Sequence, residues 1–417
     1  MTKGGARLAN LRGAPRAIAL FAVLLSASGS AAEEEDLFER AKLTGDWGGV
    51  RTTLSDAGYG FFAQYLTGGF ANTLGGRETG VRYTGFAQLG MNADLTRVAG
   101  WQDARFQIRW LSYHGGTPSS DLVGQFSAQN VSGTEADDSF VRFYTIYIEQ
   151  LLFDGMLAIK GGQLAADDDF MVCRVCGIFV NATLGDTTSL ADGLSVPIYP
   201  LAAPGLYAEL HPTPSWIVRA GVYTGDTGED ESSNFGFDWG FDHEQGVVLA
   251  GEVGVRTRFF DRDGSVLAGV IGSTGRTADD ERRRGLYGLY AIVDQDLLRD
   301  DRGRPVLAAF TRVGSGPQKN RALQRWFVDV GLIKYGVFAG QDSVGLALGY
   351  SRFSSDYVRD QRNAGQNVTR RQALIELTYQ VQLTGWLSLQ PDLQYFVGPH
   401  FSRDDALAVG LQAVIDF

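Results

Sequence analysis

From about residue 59 to the last residue, the chain repeatedly alternates apolar and polar side chains with a period of two. In "ALAVGLQAVIDF" (406–417), Leu407, Val409, Leu411, Ala413, Ile415 and Phe417 share one face, while Ala406, Ala408, Gly410, Gln412, Val414 and Asp416 share the other. "RQALIELTYQVQL" sets Ala373, Ile375, Leu377, Tyr379, Val381 and Leu383 against Glu376, Thr378, Gln380 and Gln382. "VRYTGFAQLGMNADL" does the same, with Phe86 as the exception. Such alternation marks strands with one apolar face. Their length decides what kind. Globular strands mostly run about 5–6 residues, whereas these alternate for roughly 10–14, and a membrane-crossing strand needs about 9–11. Aromatic residues near the ends of apolar faces (Tyr83, Trp326, Tyr350, Tyr395, Phe417) suit an interfacial girdle.

About sixteen such segments are predicted, near 59–70, 81–95, 103–113, 140–150, 156–163, 205–211, 216–223, 246–257, 265–273, 286–294, 305–313, 326–334, 343–353, 372–383, 386–397 and 406–417. The connections alternate long (71–80, 114–139, 164–204, 224–245, 274–285, 314–325, 354–371, 398–405) and short ("LLFDG", "HPTPS", "FFDRDG", "TG"). Asp154-Gly155 and Asp263-Gly264 suit tight hairpin turns. An even strand count with loops long on one side and short on the other predicts an all-β fold: a transmembrane antiparallel β-barrel of about 16 strands. In such a barrel the last strand pairs with the first, so a chain ending in mid-strand on Phe417 is part of the wall, and closure leaves no edge to recruit other chains.

The N-terminus supports export. Residues 1–16 carry Lys3, Arg7, Arg12 and Arg16 with no acid, and "AIALFAVLLSASGSAA" decays into small residues near Ala31 and Ala32. A basic region, a short apolar run and a small-residue cleavage site make a signal peptide over 1–32. Residues 33–58 then form an N-terminal periplasmic segment, and 59–417 the outer-membrane barrel. Formal charge is −11, and −15 once the four basic residues of the leader are set aside. An acidic chain is a poor partner for polyphosphates, so nucleic-acid binding has no electrostatic support and no nucleic-acid partner is expected. Glycine supplies 54 of 417 residues, well above the usual share of about 7%. Mean hydropathy near zero would also suit a soluble exported protein, but lipid-facing and lumen-facing residues of a barrel cancel in the same way.

Several blocks, in order from about residue 43 to 417, resemble the OprB family of carbohydrate-selective outer-membrane porins: "LTGDWGGVRTTLSDAGYGF", "LLFDGMLAIKGGQLAADDDF", "FVNATLGD", "VPIYPLAAPGLYAELHPTPSWIVRAGVYTGD", "VGLALGYSRFS", "LTGWLSLQPDLQYFVGP" and "DALAVGLQAVIDF". The resemblance implies a sixteen-stranded barrel that passes neutral sugars; "CRVC" at 173–176 departs from the family pattern. On this reading the partners are small neutral sugars in the lumen, outer-membrane lipids and lipopolysaccharide around the belt, and the barrel-assembly machinery at the strand ending in Phe417. No cofactor is implied, and association as a homotrimer stays open.

A sugar channel needs hydroxyl partners that release quickly, flat apolar faces, and charges at a constriction. Arg105, Gln107 and Arg109 alternate with Phe106, Ile108 and Trp110, so these arginines are expected to face the lumen, as are Arg82 and Arg142 on the flanking strands. They could equally just solvate a polar interior. The 164–204 connection is too long for a bare link. It carries Asp167, Asp168, Asp169, Phe179, Asn181 and Asp186, and folded inward its carboxylates would oppose the arginines; a solvated acidic loop is the alternative. Three adjacent Asp residues lack the spaced order of an EF-hand. Cys173 and Cys176, the only cysteines, are expected as a disulfide, since four scattered His residues offer no zinc pair and a redox C-x-x-C needs a βαβ setting. "GDWGGVRTTLSDAG" predicts a short helix with Asp46 at its start and Gly58 at its end. Trp47 and Arg51 share a face of it, either as a latch at the periplasmic mouth or as packing below the first strand.

Catalysis finds no motif: there is no G-x-S-x-G, and Gly314-Ser315-Gly316 lacks the Lys-Ser/Thr ending of a P-loop. A general-diffusion or other small-solute porin, a barrel enzyme and a soluble polysaccharide-binding β-sandwich remain the competing readings.

Overall fold

The computed structural model describes residues 36–417, apart from 126–130, 136–138, 186–193, 195, 227–235, 237–238, 240–243, 278–279, 319–321, 403 and the side chains of 276–284. The expected leader and Asp186 lie outside the described residues. Sixteen strands follow in chain order: β1 (Tyr59–Gly75), β2 (Gly80–Asp94), β3 (Ala104–Gly115), β4 (Phe140–Leu152), β5 (Leu157–Leu164), β6 (Ala203–Leu210), β7 (Trp216–Thr224) and β8 (Val247–Phe259). Then come β9 (Arg262–Thr277), β10 (Asp280–Arg299), β11 (Pro305–Ser315), β12 (Gln324–Tyr335), β13 (Asp342–Phe353), β14 (Arg371–Gln382), β15 (Leu387–Val397) and β16 (Ala406–Asp416). Each pairs antiparallel with its sequence neighbours, and β16 returns to β1 to close a single barrel. Gln64 on β1 faces Gln88 on one side and Asp416 on the other, and the Phe417 amide donates to the Ala63 carbonyl at 2.9 Å. The chain therefore ends hydrogen-bonded into the wall.

The pleat sorts the side chains as the alternation requires. Leu346, Leu348, Ile375, Leu377, Leu393, Val409 and Leu411 stand exposed on the outer face. Gln64, Gln88, Glu376, Gln390, Asp392 and Gln394 turn inward from the alternate positions. Phe86, the exception in its strand, faces inward with Tyr113 and Tyr199, at ring separations of 4.9 and 5.8 Å. Inward aromatics elsewhere lie flat over a glycine of the next strand. A Cβ at Gly331 would sit 2.4 Å from the Phe310 ring, so only glycine fits there.

Three sequence expectations need correction. The expected long connections 71–80 and 274–285 are mostly strand, because β1, β2, β9 and β10 run on past the apolar belt. The ladder continues in water, where no lipid demands alternation. The second tight turn is Phe260-Asp261, both at positive φ (51° and 59°) between paired Phe259 and Arg262, and not Asp263-Gly264. Gly264 is needed inside β9 instead, where a Cβ would lie 2.4 Å from Gln295 Oε1. Finally, Asp46 is not the N-cap residue of the helix Val50–Asp56; Gly49 is, after a 3-10 turn at Trp47–Gly49. Asp46 still satisfies the helix start from outside, accepting from the Thr52 amide and hydroxyl, each at 2.9 Å.

The N-terminal segment crosses the short-turn end of the barrel. The Trp386 indole donates to the Leu37 carbonyl at 2.8 Å, and the Leu43 amide to Asp416 at 2.9 Å. The connection after β5 does the opposite: it drops into the lumen. Phe170, Met171, Cys173, Cys176, Phe179 and Leu184 are buried there against inward side chains such as Tyr207, Tyr290, Phe310 and Phe396. The apolar core of this protein is thus inside the barrel, between loop and wall.

Candidate functional site

The inward loop lies on one side of the lumen and is fastened strand by strand. Phe170 packs edge-on against Tyr207 of β6 at 5.5 Å, and the Met171 amide donates to Glu252 of β8 at 3.2 Å. Arg174 bridges Asp294 and Asp296 of β10 at 2.6 and 2.8 Å. Arg312 of β11 donates to the carbonyls of Thr183 and Gly185 and pairs with Asp329 at 3.1 Å. Glu376 of β14 accepts from the amides of Val180 and Asn181 at 2.6 and 3.2 Å. Gln390 and Gln394 of β15 hold the Ile178 carbonyl and the Asn181 amide group. Cys173 and Cys176 are joined as a disulfide, fully buried within this loop.

What the loop leaves open is the lumen beside β1–β4. Here Arg109 of β3 meets Asp168 of the loop, with its Nε donating to Thr145 at 3.2 Å and its guanidinium 4.8 Å over the Tyr144 ring. Asp169 pairs with Lys160 of β5 at 2.5 Å, and that ammonium lies over the rings of Tyr147 and Tyr207 at 5.4 and 5.0 Å. A run of alternating charge continues along the wall. Tyr207 donates to Glu209, Arg219 bridges Glu209 and Glu252 at 2.6 and 2.5 Å, and Tyr290 donates to Glu252. Toward the short-turn end the lumen opens into a cavity of about 540 Å³. Arg105, Gln107, Tyr147, Glu149, Asn92 and Tyr59 line it. Together they offer donors, acceptors and the phenol ring of Tyr147.

Asp167 has a different environment from its neighbours. Both its carboxylate oxygens accept from the Tyr199 amide, at 3.1 and 3.0 Å, and it is buried. Burial, with the charge of Asp168 beside it, pushes its pKa well above the usual carboxylate range.

The structure divides the residues singled out from the sequence. Arg109 and Asp168 are brought together, with Asp169 close by on Lys160. Arg105 is four residues from Arg109 on β3, about 13 Å along a strand, and pairs with Glu149 at 3.7 Å rather than with any loop aspartate. Arg82 stands at the long-loop mouth on Asp121 at 2.8 Å; its strand reaches Arg109 only eight residues later, at Gly90. Arg142 is buried near the Phe140 ring. Phe179 and Asn181, expected to line the channel, instead anchor the loop: Phe179 packs on Phe310 at 5.7 Å, and Asn181 is wholly buried on Gln394. Both lie against the covered wall, where Glu376 holds the amides of Val180 and Asn181.

Trp47 and Arg51 do share a face, with the guanidinium 4.3 Å from the indole and both on Thr44 Oγ1. The indole, however, packs toward outward-facing Phe61 at 6.3 Å, and it is Ser55 and Gly58 of this segment that line the cavity. Lys160, Glu149, Tyr147 and Gln107 complete the site and were not singled out from the sequence, apart from Gln107 as a neighbour of the arginines. Alternation marks them as inward, as it marks dozens of others.

A sequence profile described as "Carbohydrate-selective porin, OprB family" matches residues 78–417. Porin B of Pseudomonas aeruginosa is 26% identical, over 94% of this chain and 95% of the relative. Among solved structures, the high-pH structure of Pseudomonas putida OprB superposes with a TM-score of 0.82 at 24% identity, over 92% of this chain and 100% of the other. The low-pH structure of the same protein gives 0.59 at 22% identity, over 91% and 99%.

Proposed function

Since the chain belongs to the OprB family of carbohydrate-selective porins, a sugar channel of the Gram-negative outer membrane rather than an enzyme, we propose that small neutral sugars diffuse unaided past the Arg109–Asp168 crossing into the cavity beyond it. The observation that carries this is the pairing of two loop carboxylates with wall cations, Asp168 with Arg109 and Asp169 with Lys160. Paired rows cancel most of each other's long-range field, so neither anions nor cations are strongly drawn in. At short range the same groups present fixed donors and acceptors to sugar hydroxyls. Tyr147, beneath Lys160 and in the cavity wall, offers a flat face to the sugar's C–H side. Each exchanged hydrogen bond is worth only about 0.5–1.5 kcal/mol net, so a solute that makes a few is held briefly and released. No bond is made or broken.

In this reading residues 1–32 are the export signal, 33–58 sit at the periplasmic end, where the turns are short, and residues 59–417 form the barrel. The strand ending in Phe417 is what the assembly machinery recognises, and association into a homotrimer is left to measurement. Liposomes carrying the protein are expected to swell faster in monosaccharides than in amino acids or organic acids of equal size. Equal rates would establish a general-diffusion pore and overturn the selectivity.

A further inference from the structure

On the outside of the barrel, the apolar belt ends at the long-loop end in a groove of about 760 Å³ between the tops of β13, β14 and β15. Its floor is Tyr350, Ala373 and Val397, which face one another across the three strands. Trp326 stacks on Tyr350 at 5.0 Å. Below it the same outward face carries exposed Leu348, Ile375 and Leu393. The groove is therefore continuous with the lipid-facing surface.

Its rim carries four arginines. Arg352 and Arg371 are direct cross-strand partners, each two residues beyond the aromatic and apolar floor, or about 7 Å along the strand. Arg362 and Arg370 descend from the connection above. Arg359 on the neighbouring helix is paired with Asp356 and Asp360. In contrast, no ion pair among the described residues engages Arg352, Arg370 or Arg371, all exposed. Asp405, the acid of the groove, is taken up by the Tyr395 hydroxyl and the Gly398 amide. Like charges directly opposite in a sheet destabilise it, so an anion seated between Arg352 and Arg371 would relieve their repulsion.

We infer that this groove binds lipid A, the phosphorylated glycolipid of the outer leaflet. A phosphate lies between Arg352 and Arg371, and acyl chains run down past Tyr350, Ala373 and Val397. Arginine forks match phosphate oxygens bidentately, and their height just beyond the Trp326–Tyr350 stack is that of a lipid headgroup over an aromatic girdle. The continuity with the belt favours a lipid over a soluble anion. The site is on the outer wall and does not depend on what passes through the lumen.

The test is titration of the detergent-purified barrel with bis-phosphorylated lipid A, read by native mass spectrometry. Retention by the native protein is expected, with at least tenfold weaker binding to Arg352→Ala/Arg371→Ala and to phosphate-free lipid A. Arg258→Ala, at the opposite end, should bind as the native protein does. The heat-dependent gel shift of a folded barrel reports assembly, and Arg352→Gln/Arg371→Gln serves if the alanine pair fails to assemble. Unchanged binding by the folded double variant, equal binding of phosphate-free lipid A, or equally effective competition by phosphatidylglycerol would overturn the assignment.

Discussion

The wall of β6–β15 and the wall of β1–β4 start from the same alternation and end in opposite states. On the first, Arg312, Asp329, Glu376 and Gln394 have no exposed surface, because the inward loop covers them. On the second, Arg105, Gln107 and Asn92 border open space, the Arg105 side chain being 66% exposed. A polar group buried without a partner is costly, so on the covered wall polar side chains act as fastenings for loop backbone. On the open wall a partner is exchangeable, and a solute can take its place. Inward and polar therefore means two different things in one barrel, and the difference is made by the 20 residues of loop between Leu164 and Gly185.

The most damaging way to break the contrast is to unfasten the loop. Glu376→Ala removes the acceptor of two buried amides, each costing about 1–3 kcal/mol when left unsatisfied. Single-channel conductance is expected to rise several-fold with loss of sugar selectivity, while Glu376→Gln, which keeps one acceptor oxygen and leaves only one of the two amides without a partner, falls between native and Glu376→Ala. Conductance unchanged in Glu376→Ala would mean that the loop is held without its β14 contact.

Next in size is the open side. Arg109→Ala leaves Asp168 unpaired, so reversal-potential measurements should move several-fold toward cations and monosaccharide swelling should slow. Arg109→Lys should recover the ion preference but not the sugar rate, since it lacks the fork that holds both Asp168 and Thr145. Equal sugar rates in all three proteins would place the constriction elsewhere.

A finer split lies within the aspartates. Asp168→Asn should shift preference toward anions, whereas Asp167→Asn should do little at mildly acid pH, where the raised pKa of the buried Asp167 keeps it protonated. As pH rises through that pKa the carboxylate ionises and adds a negative charge. Cation preference in the native channel is therefore expected to grow toward alkaline pH, and to stay flat in Asp167→Asn. The smallest effect belongs to the disulfide. Reducing Cys173–Cys176 should raise current noise without opening the pore, because Arg174 and Glu376 still hold the loop; a large conductance rise would make the disulfide the main fastening.

Much of the fold could be read locally. The sixteen strands, the lipid-facing set and the terminal strand follow from pleat geometry, in which each residue's face is fixed by its immediate neighbours. Where that logic slipped, as at Phe260-Asp261, the register between two strands shifted the turn by a few residues. The candidate site was legible in part. The meeting of Arg109 with Asp168 could be anticipated because charge on an inward face and charge on an overlong loop are both visible in the chain. Lys160, Tyr147 and Glu149 carry no such mark, and Phe179 and Asn181 were assigned to the wrong side of their loop.

By itself, then, the sequence determined that this chain closes into a sixteen-stranded barrel with lipid outside and polar groups within, because a period of two is a property of adjacent residues. Which of those polar groups meet a solute was decided only by tertiary structure. Val180 finds Glu376 across 196 positions and Arg174 finds Asp294 across 120. Whether an inward carboxylate clasps the loop or faces the channel depends on where that loop lands, and a landing so far along the chain leaves no trace in the residues beside it.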